Sequence, residues 1–147
     1  MCKETKELFS ELSKAKTKED MKRFLKQNND QLKPPSVAEY LTELLETHNF
    51  KKSEIIVSTG LDRRYAYNLL NGTKSFTRDK LLMFAIAAKL TIEETNDLLK
   101  YARESKLYAR DRRDAIIIFA LNSNLNIYET NDLLAGNTLK EFEFMKK

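Results

Sequence analysis

Along most of this chain apolar residues recur at intervals of three and four, the spacing that gathers them on one face of an α-helix. Leu8, Phe9 and Leu12 mark a first helix over about Lys3 to Lys14. A second opens at Thr17, where Thr17-Lys18-Glu19-Asp20 has the form of a capping box, and carries Met21, Phe24 and Leu25 as its apolar stripe. The stretch Asn28 to Pro35, NNDQLKPP, gathers turn-prone residues and two prolines that no helix interior tolerates, so it reads as a linker. Ser36, boxed by Glu39, caps a third helix bearing Leu41, Leu44 and Leu45 and ending at Asn49 and Phe50. Two short helices divided at Gly60 follow, then a loop from Thr73 to Thr77. Next comes an apolar helix (Leu81, Leu82, Phe84, Ala85, Ile86, Ala88) that only a core can house, and one over about Ile92 to Arg103. At the end, Leu139 to Lys147 predicts a last short helix with Phe142 and Met145 turned inward.

The second half repeats itself. Residues 78–100, RDKLLMFAIAAKLTIEETNDLLK, align at an offset of 35 with residues 113–135, RDAIIIFALNSNLNIYETNDLLA, and 12 of the 23 pairs are identical. Each copy reads as an apolar helix followed by a shorter one carrying ETNDLL. A hairpin of this kind cannot bury its apolar face alone, so the copies are expected to stack on each other as duplicated core structure.

Composition narrows the class. Three glycines and two prolines in 147 residues leave too few turn residues for a sandwich or barrel, and the fold class is all-α. At 41% apolar residues the chain can build a core without disulfides or metals. No apolar run approaches the roughly 20 residues that span a bilayer, and MCKETKELFSELSK has no apolar signal region. The single Cys2 cannot pair internally, which suits a reducing cytoplasm; the whole has the look of a cytoplasmic bacterial or phage protein. A net charge of +4 permits nucleic-acid binding without requiring it. His48 is the only histidine and stands in no motif with a cysteine or carboxylate, so it reads as a helix-end residue, and triads and metal sites built on His are excluded. With no P-loop, dinucleotide fingerprint or paired carboxylates either, the chain is not expected to be an enzyme or to hold a cofactor or metal.

The informative segment is Lys52 to Gly72, KSEIIVSTGLDRRYAYNLLNG. An eight-residue helix, a turn at Gly60 and a second helix capped by Asp62 follow without spare residues. Glycine suits that turn because it enters the left-handed region without steric cost. Leu61 is expected to plug the angle, and Ala66, Leu69 and Leu70 to face inward. Arg64, Tyr67, Asn68 and Asn71 fall on the opposite face with Arg63 at the tip. Arginines in a first helical turn oppose the helix dipole by about 0.3 kcal/mol or more each. A phosphate or a guanine edge would offset that, since Arg pairs bidentately with guanine and Asn with adenine in a major groove.

A polar residue, Glu, an aliphatic pair, Gly, an aliphatic residue, a small cap, two buried positions and a closing Asn-Gly stand here as Lys52, Glu54, Ile55-Ile56, Gly60, Leu61, Asp62, Ala66 with Leu69, and Asn71-Gly72. This pattern, with the two glycines twelve positions apart, resembles the phage-repressor-like (xenobiotic-response-element type) helix-turn-helix proteins. The resemblance covers about residues 36–102. It departs at Ile56, where the family usually carries a small Ala, which leaves the angle between the two helices open. It implies a lambda-repressor-like helix-turn-helix domain over 36–102, preceded by an N-terminal helical extension and linker over 1–35 and followed by the added C-terminal hairpin and tail over 103–147.

The resemblance also implies a sequence-specific transcriptional regulator that binds double-stranded DNA as a homodimer through two half-sites. Lys52, Asn71, Lys74 and Ser75 would contact the backbone, Arg63, Arg64, Tyr67 and Asn68 would read bases, and Tyr65 would serve either purpose. Dimerisation would use the added hairpin or the tail, and a regulatory protein partner is left open. An adaptor built on the same helical domain, binding a protein instead, is the alternative. The basic run Arg103 to Arg113 reads as a connector whose arginines pair with Asp111 and Asp114 rather than as a second phosphate loop, and the lysine-rich N-terminal helices as a solvated face.

Overall fold

The computed structural model describes residues 4–144, and among them lie nine α-helices, one short 3-10 turn and no strand. The helices are α1 (Thr5–Lys14), α2 (Lys18–Gln27), α3 (Val37–Thr47), α4 (Lys52–Thr59), α5 (Arg63–Leu70), α6 (Arg78–Ala87), α7 (Ile92–Tyr101), α8 (Arg112–Asn122) and α9 (Ile127–Gly136). The all-α reading stands. The chain divides into two compact units, with the boundary between Pro35 and Ser36.

In the first unit α1 and α2 pair, joined by the short segment Ala15 to Thr17. The capping box forms as the sequence predicts: the Thr17 hydroxyl accepts from Asp20 N at 3.0 Å, and the Asp20 carboxylate accepts from Thr17 N at 3.2 Å and Lys16 N at 3.0 Å. Those donors, the Lys16 amide foremost, hold the Asp20 carboxyl below the usual carboxylate range. Phe24 and Asn28 are buried, and the Asn28 amide donates to Phe24 O, while Phe9, Met21 and Leu25 remain exposed. The linker is not wholly irregular, since the 3-10 turn Asn29–Gln31 lies inside it.

In the second unit one core joins all seven helices. It is centred on α6, where every residue from Lys80 to Ile86 is buried. The scarcity of glycine has a structural counterpart. Five helix ends turn through the left-handed region on residues other than glycine: Asn49 (φ 59°), Lys89 (55°), Arg103 (60°), Asn124 (54°) and Thr138 (60°). After each, the next N–H reaches back to an orphan carbonyl: Phe50 to Leu45, Leu90 to Ala85, Glu104 to Leu99, Leu125 to Ala120 and Leu139 to Leu134, at 2.8–3.1 Å. A β-branched side chain is the most strained of these. Thr138→Gly is therefore expected to stabilise the protein by about 0.5–1 kcal/mol, the relieved strain exceeding the entropy that glycine adds to the unfolded chain. Thermal unfolding of the two proteins side by side checks it.

The repeat packs as predicted, and reciprocally. Arg78 of the first copy forms a fork on Asp114 of the second at 2.9 and 3.1 Å, and Arg113 of the second forks on Asp79 of the first at 2.8 and 3.0 Å. Each arginine also donates through Nε to a carbonyl of its own copy, Ser105 O and Lys140 O, both at 2.9 Å. Asn96 Oδ1 accepts from Leu107 N at 2.9 Å, and Asn131 Oδ1 from Phe142 N at 2.7 Å. All these pairs keep the offset of 35, so the structural repeat runs on to Phe142 although residues 101–109 and 136–144 share no identical pair.

Two expectations are corrected here. From Leu139 to Phe144 the tail is not helical but runs as an irregular strap, and Met145 to Lys147 lie outside the described residues. Its hydrogen-bonding groups are taken by side chains instead of by a helical ladder. The Asn131 amide holds both Phe142 N and Phe142 O, Arg113 takes Lys140 O, and Lys80 Nζ takes Glu143 O at 2.6 Å. Burial pulls the Lys80 ammonium below the usual lysine range, and Asp79 and Glu143 oppose that pull. Phe142 is buried, as expected. The connector Arg103 to Arg113 does not pair its arginines with Asp111 and Asp114. Asp111 caps α8 by accepting from Asp114 N, and the ion-pair partners come from the other copy.

His48 does stand at a helix end, the C-cap of α3, with Nε2 2.5 Å from Glu94 Oε2 at the start of α7. Burial raises the Glu94 carboxyl, but the Thr91 N–H and His48 outweigh it and hold the group below its ordinary 4.5. A carboxylate depressed in the folded state stabilises above its unfolded value, and that contribution is lost as pH falls through the folded value. The gap in melting temperature between the wild type and Glu94→Gln is accordingly expected to be constant at neutral pH and to close on acidification below 4.5. A gap that stays open down to about pH 3 would contradict this.

Candidate nucleic-acid interface

Between Lys52 and Gly72 the chain folds by short-range rules. Gly60 takes φ +75° and ends α4, with its N–H on Val57 O. The Thr59 hydroxyl donates to Ile56 O at 2.6 Å and accepts from Leu61 N at 3.2 Å, which seals the corner, and Leu61 is buried in it. Asp62 caps α5 by accepting from Tyr65 N at 3.1 Å. Ala66, Leu69 and Leu70 are buried as expected, and so is Ile56, at the place where a small residue was anticipated.

The outer surface of α5 is built by what remains. Arg63 and Arg64 are exposed, Tyr67 and Asn68 half-buried, and Asn71 exposed with Oδ1 accepting from Thr73 N at 2.9 Å. The Arg63 guanidinium lies 5.8 Å from the centre of the Tyr67 ring. The Asp62 cap is the acidic group at that end of α5; no further acidic residue stands in its first turn, which carries Arg63 and Arg64. Among the described residues Arg64, Lys52 and Lys74 make no ion pair. Lys52, Lys74 and Ser75 are exposed, and Lys74 N is tied to Asn68 O at 3.0 Å, which fixes the start of the loop after α5.

Tyr65 is corrected. It is buried, part of an inward stripe of Tyr65, Ala66, Leu69 and Leu70 that is one residue wider than the sequence predicts. At 4% exposed it lines one cleft with Thr77, Lys80 and Glu143 and is withdrawn from the outer surface of α5. Two features escaped the sequence reading. Ser53, Ile56, Val57 and Leu61 of α4 and its turn form a shallow groove with Arg63 and Tyr67, and Val57 stands exposed on its rim. The i, i+4 spacing of Ser53 and Val57 on the side away from Ile55 and Thr59 was the available signal. The other is an aromatic pair, Tyr128 and Phe144, stacked at 5.5 Å beside Gly60. No sequence signal marks it, because both residues are remote along the chain.

The arrangement presents guanidinium, ammonium, amide and hydroxyl groups of Arg63, Arg64, Lys52, Lys74, Asn68, Asn71 and Ser75. Among the described residues no group of three or more His, Cys, Asp or Glu side chains is placed to hold a metal, and no helix is long and apolar enough to cross a membrane. Comparison of the chain with protein-family models, with curated proteins and with solved structures finds no match in any of the three.

Proposed function

We propose that the unit from Ser36 onward is a repressor-type helix-turn-helix domain that binds double-stranded DNA sequence-specifically and regulates transcription in the cytoplasm, without catalysis or a cofactor. α5 enters the major groove. Arg63, Arg64, Tyr67 and Asn68 read bases, while Lys52, Asn71, Lys74 and Ser75 hold the backbone. The observation that carries this reading is the exposed Arg63–Arg64 tip, which makes no ion pair among the described residues, on a helix whose opposite side is wholly buried. A helix so anchored presents its polar face rigidly, and cations at that end gain when a phosphate or guanine arrives.

The protein acts as a homodimer in this reading, since one recognition helix spans only a few base pairs. The second copy is placed on the outer face of α8. Phe119 there is 55% exposed, whereas its counterpart Phe84 is 0% exposed. The same bare face favours the second reading, an adaptor that docks another protein there.

In-vitro selection from a random duplex library tests both. Lys52→Ala is expected to weaken all duplexes alike and to lower the slope of log affinity against log salt by about one. Arg64→Ala and Asn68→Ala are expected to relax preference at particular positions, by about 1–3 kcal/mol each. Selection profiles identical to the wild type in both latter variants would favour the adaptor.

A further inference from the structure

The duplicated hairpin has diverged at two positions that meet at one place. In the first copy the residues are Glu93 and Ala109; at the offset of 35 the second copy has Tyr128 and Phe144. Those two aromatics stack on each other at 5.5 Å, ring planes 23° apart. Both reach the turn before α5: a methyl group added at Gly60 would lie 2.6 Å from the Phe144 ring and 3.0 Å from the Tyr128 hydroxyl. The strap that delivers Phe144 is fastened on both sides of Phe142, by Asn131, by Arg113 through Lys140 O, and by Lys80 through Glu143 O. The Arg113 guanidinium also covers the Phe142 ring at 4.9 Å. The strap is thus a held element, and its aromatic end is seated on Gly60.

We infer that Tyr128 and Phe144 are positioning residues for the recognition helix: the second hairpin carries an aromatic seat that fixes the Gly60 turn, and with it the angle at which α5 is presented to DNA. This rests on the DNA-binding reading above. Ile56 and Leu61, on either side of the turn along the chain, are buried, so the turn is held from within by them and from the second hairpin by the two aromatics. The hairpin then serves recognition without touching DNA.

Two experiments judge it on the full chain. Gly60→Ala and Phe144→Ala are made singly and together, and urea unfolding is measured without DNA. If the seat exists, Gly60→Ala raises the unfolding equilibrium constant less in the Phe144→Ala background than in the wild type, by about threefold or more; strict additivity overturns the seat. The duplex selected by the wild type is then compared with random duplex for wild type, Phe144→Ala and Phe144→Tyr. Phe144→Ala is expected to lose about tenfold in the ratio of specific to random binding, with random binding unchanged, and Phe144→Tyr to restore it. A selective wild type alongside an equally selective Phe144→Ala overturns the inference. A wild type that binds no duplex at any salt overturns the DNA reading and the positioning role with it, whatever the cycle shows.

Discussion

Phe84→Ala is expected to destabilise the protein by about 3–5 kcal/mol, while Phe119→Ala, the same substitution at the matching place in the second copy, is expected to cost less than about 1.5 kcal/mol. The two phenylalanines align at the offset of 35 and occupy the same position in their helices. Their surroundings differ. Phe84 is 0% exposed, with Phe76 edge-on at 5.6 Å and α4 packed across α6, so truncation leaves a cavity that a close-packed core cannot fill. Phe119 is 55% exposed, and its removal surrenders only partial burial. Urea unfolding at low protein concentration measures both, with an unchanged slope as the sign that stability alone has moved. Equal losses would mean that the outer face of α8 is covered in solution.

Asp114→Ala is expected to cost about 2–4 kcal/mol and Asp79→Ala about 1 kcal/mol or less, although the two carboxylates make equivalent forks. The Asp114 side chain is 8% exposed and that of Asp79 is 27% exposed. Removing Asp114 leaves the Arg78 guanidinium without its carboxylate and also orphans the Tyr108 N–H that Asp114 accepts at 3.0 Å. Among the described residues the ion pair of Asp79 is with Arg113; each arginine keeps its carbonyl contacts when its carboxylate is gone, but Arg113 also keeps the Phe142 ring, and loss of Asp79 orphans no backbone N–H. Denaturation of the two variants in parallel decides it. A reversed order would show that the pseudo-symmetric pairs do not divide the load by burial.

The elements that sequence reasoning reached were those built by neighbours along the chain. The capping boxes at Thr17 and Ser36, the left-handed Gly60, the Asp62 cap and the buried Leu61 are all within four residues of their partners, and all appear in the structure. The exposed tip of the candidate interface, Arg63 and Arg64, was legible for the same reason: once the cap sets the phase of α5, its polar face follows. The repeat was legible as identity over residues 78–100 and 113–135, but its continuation was not, because the strap keeps backbone geometry and one asparagine contact while sharing no residue types.

What the amino-acid order determined by itself is therefore the helices, their ends and the presented face of α5, since hydrogen bonds and side-chain period act over one turn. What tertiary structure alone decided is which partner each group takes across the core. It set Arg78 on Asp114 rather than on a nearby acid, buried Tyr65, made a strap of the predicted tail helix, and covered Phe84 while leaving Phe119 bare. The physical reason is one of range: burial and ion pairing depend on which distant surface arrives, and nothing in a residue's own neighbourhood along the chain encodes that.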